Sequence, residues 1–176
     1  QLLEQGREAE AISLLKRALV TQSQPVTSAS LLADIYLQQG ELNAAEVLQN
    51  QLTYLPDVTR TKIKAQLAVA KGDQAGAINL LEQQLSGAQD DENYRALLAS
   101  LYHKTGSYAQ SVTSYQRLIG SFGEKPSYWL GLALAYDGLA QPKNALQAYL
   151  HLRDFPQLQD QVKTYTDQRI AALRSQ

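Results

Sequence analysis

The sequence predicts an all-α solenoid of antiparallel helix pairs, finished by a C-terminal capping helix. Three observations carry that prediction. Five segments align along the chain, Gly6 to Ile12, Gly40 to Glu46, Gly72 to Ile78, Gly106 to Val112 and Ala140 to Leu146, and their first residues stand 34, 32, 34 and 34 apart. A repeat of that length is one helix–turn–helix unit, which buries its apolar face only by stacking on its neighbours. Each segment lies between stretches with apolar residues at helical spacing, such as Leu32, Ile35 and Tyr36 before Gly40 and Ala45, Leu48 and Leu52 after it. Small residues recur five positions after the junction (Ala11, Ala45, Ala77, Ser111, Ala145) and seven before it (Ala33, Ala65, Ala99, Ala133). Small side chains at both places let two helix backbones approach closely.

In chain order, a helix remnant at 1–5 is followed by helices near 7–21, 26–39, 42–54, 58–71, 74–86, 91–105, 108–121, 126–139, 142–153 and 157–173. Glycine at the junction supplies a helix C-cap, and a connection that short makes an antiparallel hairpin. Pro25 and Pro126 open first helices and Pro142 opens a second one, where a missing N–H costs nothing. Pro56 and Pro156 fall between helices, and Asp90 or Asp91 caps the helix that carries Tyr94. The units run about 1–25 (truncated), 26–57, 58–91, 92–125 and 126–156, with the capping helix at 157–176, all in one domain. The chain starts in mid-pattern and has no Met, so it reads as a fragment of a longer protein. The truncated first unit is expected to leave the stripe Ile12, Leu15 and Leu19 open to water or to a neighbouring molecule.

Composition narrows the function. With 16 basic and 17 acidic residues the net charge is -1, so no field of one sign attracts nucleic acid or an anionic membrane. The absence of cysteine removes disulfides, thiolate metal sites and cysteine nucleophiles, and leaves the compartment open. No apolar run approaches the roughly 20 residues that span a bilayer.

On these residues the chain resembles the tetratricopeptide repeat (TPR) family. The best unit has Trp129, Leu132, Ala133, Tyr136, Ala140, Ala145, Tyr149 and Leu152, where the family pattern has Trp, Leu, Gly or Ala, Tyr, Gly, Ala, an aromatic and Ala. Ala140 and Leu152 depart from it, and the unit around Gly72 is degenerate, with Lys64 on the expected Leu and Ala68 on the expected Tyr. The resemblance implies a right-handed superhelical solenoid and a non-catalytic scaffold that binds a partner protein or peptide in its concave groove. More narrowly, the run from Tyr128 to Tyr149 with the ending Gln168 to Leu173 resembles the TPR protein of mannose-sensitive haemagglutinin (MSHA) type IV pilus biogenesis, the MshN type. That resemblance implies a bacterial pilus or secretion assembly role on the periplasmic side of the inner membrane, with pilus-assembly partners. The alternatives are a generic TPR adaptor, cytoplasmic included, and an accessory domain of an envelope enzyme whose catalytic part lies upstream.

Chemistry-bearing patterns are sparse, and no enzyme activity, cofactor or metal is expected. His103 and His151 sit in different repeats without a metal-binding spacing and read as polar helix-surface residues. The acidic run Asp90, Asp91 and Glu92 fits a helix start, where negative charge meets the positive dipole end. There is no glycine-rich phosphate loop and no nucleophile elbow. Tyr36, Tyr102, Tyr115, Tyr136, Tyr149 and Trp129 occupy core positions of the repeat, whereas Tyr54, Tyr94, Tyr128 and Tyr165 are left undetermined. In the family, first helices line the groove. That selects Thr27, Ser30, Asp34 and Leu37, then Lys62, Gln66 and Val69, then Asn93, Ala96, Ser100 and His103, then Leu130, Leu134 and Asp137. Only Lys62 with Gln66 faintly resembles the clamp that holds a peptide carboxylate, so a mixed peptide surface with a few apolar anchors is expected. Leu130 and Leu134 have a second reading, as packing for the capping helix.

Overall fold

To turn back at the end of a first helix, the chain needs one residue at positive φ, and glycine meets that need at least cost. Gly40, Gly72 and Gly106 have φ of 72°, 86° and 78°, and Ala140 takes the same role at 52°. Each turn then closes alike. The amide after the turn residue donates to the carbonyl five residues back: Glu41 to Tyr36 at 2.8 Å, Asp73 to Ala68 at 2.9 Å, Ser107 to Tyr102 at 2.8 Å and Gln141 to Tyr136 at 3.0 Å. The second helix starts at once and folds back on the first.

In a computed structural model, residues 7–175 are described. Among them are ten helices and no strand: α1 (Glu8–Val20), α2 (Pro25–Gln38), α3 (Leu42–Gln51), α4 (Asp57–Ala70), α5 (Gln74–Gln83), α6 (Glu92–Lys104), α7 (Tyr108–Phe122), α8 (Pro126–Gly138), α9 (Pro142–Arg153) and α10 (Asp160–Arg174). The expected remnant at 1–5 and the Gly6 turn lie outside the described residues. Three boundaries differ from expectation by about a turn. α3 stops at Gln51 because the chain bends at Leu52 (φ -91°, ψ 41°) to bury Leu52 and Leu55 before Pro56 leads into α4. α5 stops at Gln83, and the segment up to Asp90 is a series of turns that buries Ala88. α10 starts at Asp160, since Gln159 is extended (ψ 140°) after Pro156. Proline opens α2, α8 and α9. Asp91, one of the two expected caps, accepts from the Tyr94 amide at 2.9 Å.

The chain forms two compact units, the first ending at Ala88 and the second beginning at Gln89. Both use small residues at the helix seam. Ala33, Ala45, Ala65 and Ala77 in the first unit and Ala99, Ala133 and Ala145 in the second are fully buried. Ser111 replaces the alanine of that row, and its hydroxyl donates to the Ala99 carbonyl at 3.1 Å, so the hydroxyl is buried with a partner.

In the first unit, Ile12, Leu15 and Leu19 are half-buried against the core cluster that holds Leu32, Tyr36 and Leu48. This corrects the expected open stripe: α1 lies along α2, and the exposed apolar residues of α1 are Leu14 and Val20, off that stripe. The second unit is built on tyrosines, with Tyr94, Tyr115, Tyr128 and Tyr149 all buried. Tyr94 and Tyr128 therefore belong to the core, while Tyr54 and Tyr165 are exposed. α10 packs on α9 and buries Thr166, Ile170 and Leu173.

Candidate functional site

First helices pack on first helices, α2 on α4 and α6 on α8. In the first unit, Thr27 is exposed, Ser30, Asp34, Leu37, Gln66 and Val69 are half-buried, and Lys62 is buried. Gln66 Nε2 donates to Asp34 Oδ1 at 2.8 Å, joining the two predicted positions across α4 and α2. In the second unit, Asn93 is exposed and Ala96, Ser100, His103, Leu130, Leu134 and Asp137 are half-buried. Ser100 bonds back to the Leu97 carbonyl at 2.8 Å, and the His103 ring meets Tyr108 edge-on at 5.5 Å. Leu130 and Ala96 pack against the cluster that includes Ile170 and Leu173.

Asp137 does other work. Its carboxylate accepts from Arg169 Nε at 3.0 Å and Nη2 at 2.9 Å, and from the Tyr149 hydroxyl at 2.8 Å. It ties α8, α9 and α10 together, which gives this predicted groove position a structural role of its own. Burial, then hydrogen bonds with Tyr165 and Asp137, pushes the Tyr149 phenol well above its ordinary range. Sequence reasoning missed this brace because Arg169 lies outside the repeat, so no repeat spacing links it to Asp137. A second brace joins α6 to α8 and the residue before it: Glu92 accepts from Lys125 and from the Tyr128 hydroxyl. Lys125, then Tyr128, holds the Glu92 carboxyl below the usual carboxylate range.

The row of second helices carries a feature that sequence reasoning did not find. No packing like that of α2 on α4 links α1 to α3 or α7 to α9. Between each pair a groove is left open, floored by the intervening first helix. Three repeat periods, one hundred residues, relate the two grooves position by position. The first-unit groove measures about 660 Å³, with Lys16, Leu19 and Val20 on one wall, Leu32 and Tyr36 on the floor, and α3 residues with Tyr54 on the other wall. The second-unit groove has the equivalent lining, Gln116 and Ile119, Leu132 and Tyr136, then Asn144, Gln147 and Ala148, and measures about 290 Å³. Trp129 lines the second groove, with no large counterpart in the first. Its ring is partly buried and stacks on His151 at 3.9 Å, and His151 in turn meets Glu124 at 3.0 Å. The first-unit counterparts of Trp129 and His151 are Ala29 and Gln51.

Among the described residues, no three His, Asp or Glu side chains converge as a metal site would need, and no helix is long and apolar enough to cross a membrane.

Comparison with known proteins fits this geometry. Residues 2–57 and 93–121 match tetratricopeptide repeat family profiles. Mouse intraflagellar transport protein 70B is 25% identical over 196 aligned residues, covering 88% of this chain, and the chain spans only 29% of that relative's length. A thermophilic TPR protein of Thermus thermophilus superposes with a TM-score of 0.70 at 20% identity, over 100% of this chain and 95% of that one. YrrB, described as a TPR protein with an unusual peptide-binding site, superposes with a TM-score of 0.67 at 11% identity, over 95% and 87% of the two chains. At these identities the two structures speak for the fold alone.

Proposed function

We propose that this chain, which carries tetratricopeptide repeats, is an interaction scaffold that holds a partner protein or peptide along the faces of its first helices. One observation carries the reading. First helices pack side by side within each unit, and side chains at the predicted groove positions, Thr27, Ser30, Leu37 and Val69 among them, are left exposed or partly exposed. A face of short polar groups with isolated apolar anchors suits an extended or helical peptide, held by main-chain hydrogen bonds and a few buried side chains. The near-neutral charge disfavours nucleic acid, whose phosphates would require excess Lys and Arg. The peptide-binding site named for YrrB is an example of a protein of this fold that takes a peptide.

The narrower reading, a pilus or secretion assembly factor at the periplasmic side of a bacterial inner membrane, rests on the run from Tyr128 to Tyr149 and gains nothing from the relatives above. Accessory service to an enzyme is the reading to adopt if a catalytic domain adjoins the repeats.

The test is affinity capture followed by titration with the purified partner. The variant pair Leu37→Arg and Val69→Arg lies on the first-unit face, and it should weaken binding at least about tenfold while helical content is unchanged. Binding within about twofold of wild type overturns the placement on this face.

A further inference from the structure

We propose that the first-unit groove between α1 and α3 is a second docking site, which takes one aromatic side chain of a partner protein together with an adjacent carboxylate. This lies on the other row of helices from the face proposed above, so the two stand or fall separately.

The chain supplies its own precedent. In the second unit the equivalent groove is narrower and is lined by an aromatic side chain of the chain itself, the Trp129 indole against His151. The first unit keeps the floor, Leu32 and Tyr36, but carries Ala29 and Gln51 at those two positions, and its groove is more than twice as large. A volume of that order is what drug-sized and side-chain ligands occupy. Planar aromatic side chains in such pockets are the usual anchors of protein interfaces.

The rim points the same way. Val20, Val47 and Tyr54 line the first-unit groove with 85%, 55% and 49% of their surface exposed. Their counterparts one hundred residues on are Gly120, Gln147 and Asp154. At these three positions the first unit carries exposed apolar side chains where the second carries Gly, Gln and Asp. Exposed apolar side chains gathered on a concave surface mark an interaction site, whereas scattered ones do not.

Charge selects the neighbour of the anchor. Lys16 is the one charged residue lining the groove; its ammonium sits 5.8 Å from the centre of the Tyr36 ring, and no described carboxylate pairs with it. The second unit has neutral Gln116 there. An Asp or Glu beside the aromatic anchor meets that cation over an aromatic face, while a Lys or Arg meets repulsion.

The experiment uses the full chain, ¹⁵N-labelled, and three probes: N-acetyl-Trp-Glu-amide, N-acetyl-Ala-Glu-amide and N-acetyl-Trp-Lys-amide. The first should shift the amides of Lys16, Val20, Val47 and Tyr54 with weak, saturable affinity, of the millimolar order expected of so small a ligand. The second should not bind, and the third should bind several-fold more weakly. Val47→Gln with Tyr54→Asp gives the first unit the second unit's rim on exposed positions and should weaken the Trp-Glu probe at least about tenfold. Lys16→Glu should reverse the preference between the Trp-Glu and Trp-Lys probes. Affinity within about twofold of wild type in the rim variant, with helical content intact, overturns the proposal. So do equal shifts at Ile119 and Gln147, or a lack of binding combined with a concentration-dependent dimer that protects Val20 and Val47, which would make the occupant a second copy of the chain.

Discussion

The two units fold the same repeat and finish it differently. Between α7 and α9 the groove is the smaller one, with Trp129 against His151 in its lining, and α10 sends Arg169 to Asp137. Between α1 and α3 the equivalent groove stays open, and six of the seven exposed large apolar residues among those described lie in this first unit. The backbone does not account for the contrast, since the turns, the seam alanines and the helix order are alike. Side chains one hundred residues apart do: Ala29 against Trp129, Leu31 against Gly131, Leu15 against Tyr115 and Leu37 against Asp137. In a repeat protein, then, small residues at the seam and turn dictate how helices approach, and the large positions decide whether the remaining surface becomes core or interface.

Exchanging residues between the units tests this. Trp129→Ala gives the second unit the first unit's residue and should produce the largest effect, a loss of about 3 kcal/mol, at the low end for a core tryptophan because the ring is only partly buried. Chemical denaturation followed by circular dichroism measures it, since Trp129 is the sole tryptophan and its fluorescence is lost with it. A loss below about 1 kcal/mol would mean the indole is not structural filling.

Gly131→Leu is the next largest. A Cβ on Gly131 would stand 2.2 Å from Tyr115 Cζ, so the glycine exists to admit that ring. The substitution should cost about 2 kcal/mol of overpacking, after the helix propensity gained on removing glycine is counted. Adding Tyr115→Leu gives both positions the residue types of the first unit, Leu15 and Leu31, and should recover about half of the loss or more, as expected when two residues share one contact. Strictly additive losses would refute the exchange.

Alkaline pH should separate the units without mutation. Burial raises the phenols of Tyr94, Tyr115, Tyr128 and Tyr149, Tyr94 to about 12, and all four lie in the second unit. For a group whose folded pKa is raised, stability is fully present below the unfolded value, 10.0 for tyrosine, and is lost as pH climbs beyond it. The second unit should therefore unfold first above pH 10, with a drop in helicity coincident with a change in Trp129 fluorescence and with phenolate absorbance. Phenolate absorbance that develops fully near pH 10 with the helices intact would contradict the buried-tyrosine core.

What the sequence makes legible follows from which constraints are local. A turn that needs positive φ and a seam that admits only a methyl or hydroxyl leave their mark at a fixed spacing, which is why Gly40, Gly72, Gly106 and the rows through Ala33 and Ala45 can be read directly. Tail segments such as that after Gln83 carry no cap or proline, and there the expected helix is too long. The brace at Asp137 joins a repeat position to Arg169, which lies outside the repeat, so the aspartate reads as a groove residue. The second-helix groove is invisible for another reason. Trp129 reads as core from its place in the repeat pattern, and the meaning of Ala29 appears only when three helices are assembled around the volume an indole leaves vacant.

The smallest expected effect concerns Ala140 and discriminates most finely between the units. Ala140 holds φ at 52° in the turn where the first unit has Gly40 at 72°. The left-handed conformation costs an L-residue with a Cβ about 1 kcal/mol or more, and glycine escapes that cost. Ala140→Gly should therefore stabilise the second unit, though by less than the full relief, because glycine also gains about 0.4–1 kcal/mol of freedom in the unfolded chain. The reverse exchange, Gly40→Ala, should destabilise the first unit by a similar net amount, about 0.5–1 kcal/mol. A Cβ at Gly40 would meet nothing within 4 Å, so its cost is backbone strain alone, uncontaminated by packing. Urea midpoints should move in opposite directions in the two variants with an unchanged slope, which marks a change in stability and not in the extent of unfolding. If both move the same way, the two turns are not equivalent, and the position-by-position comparison of the units loses its anchor.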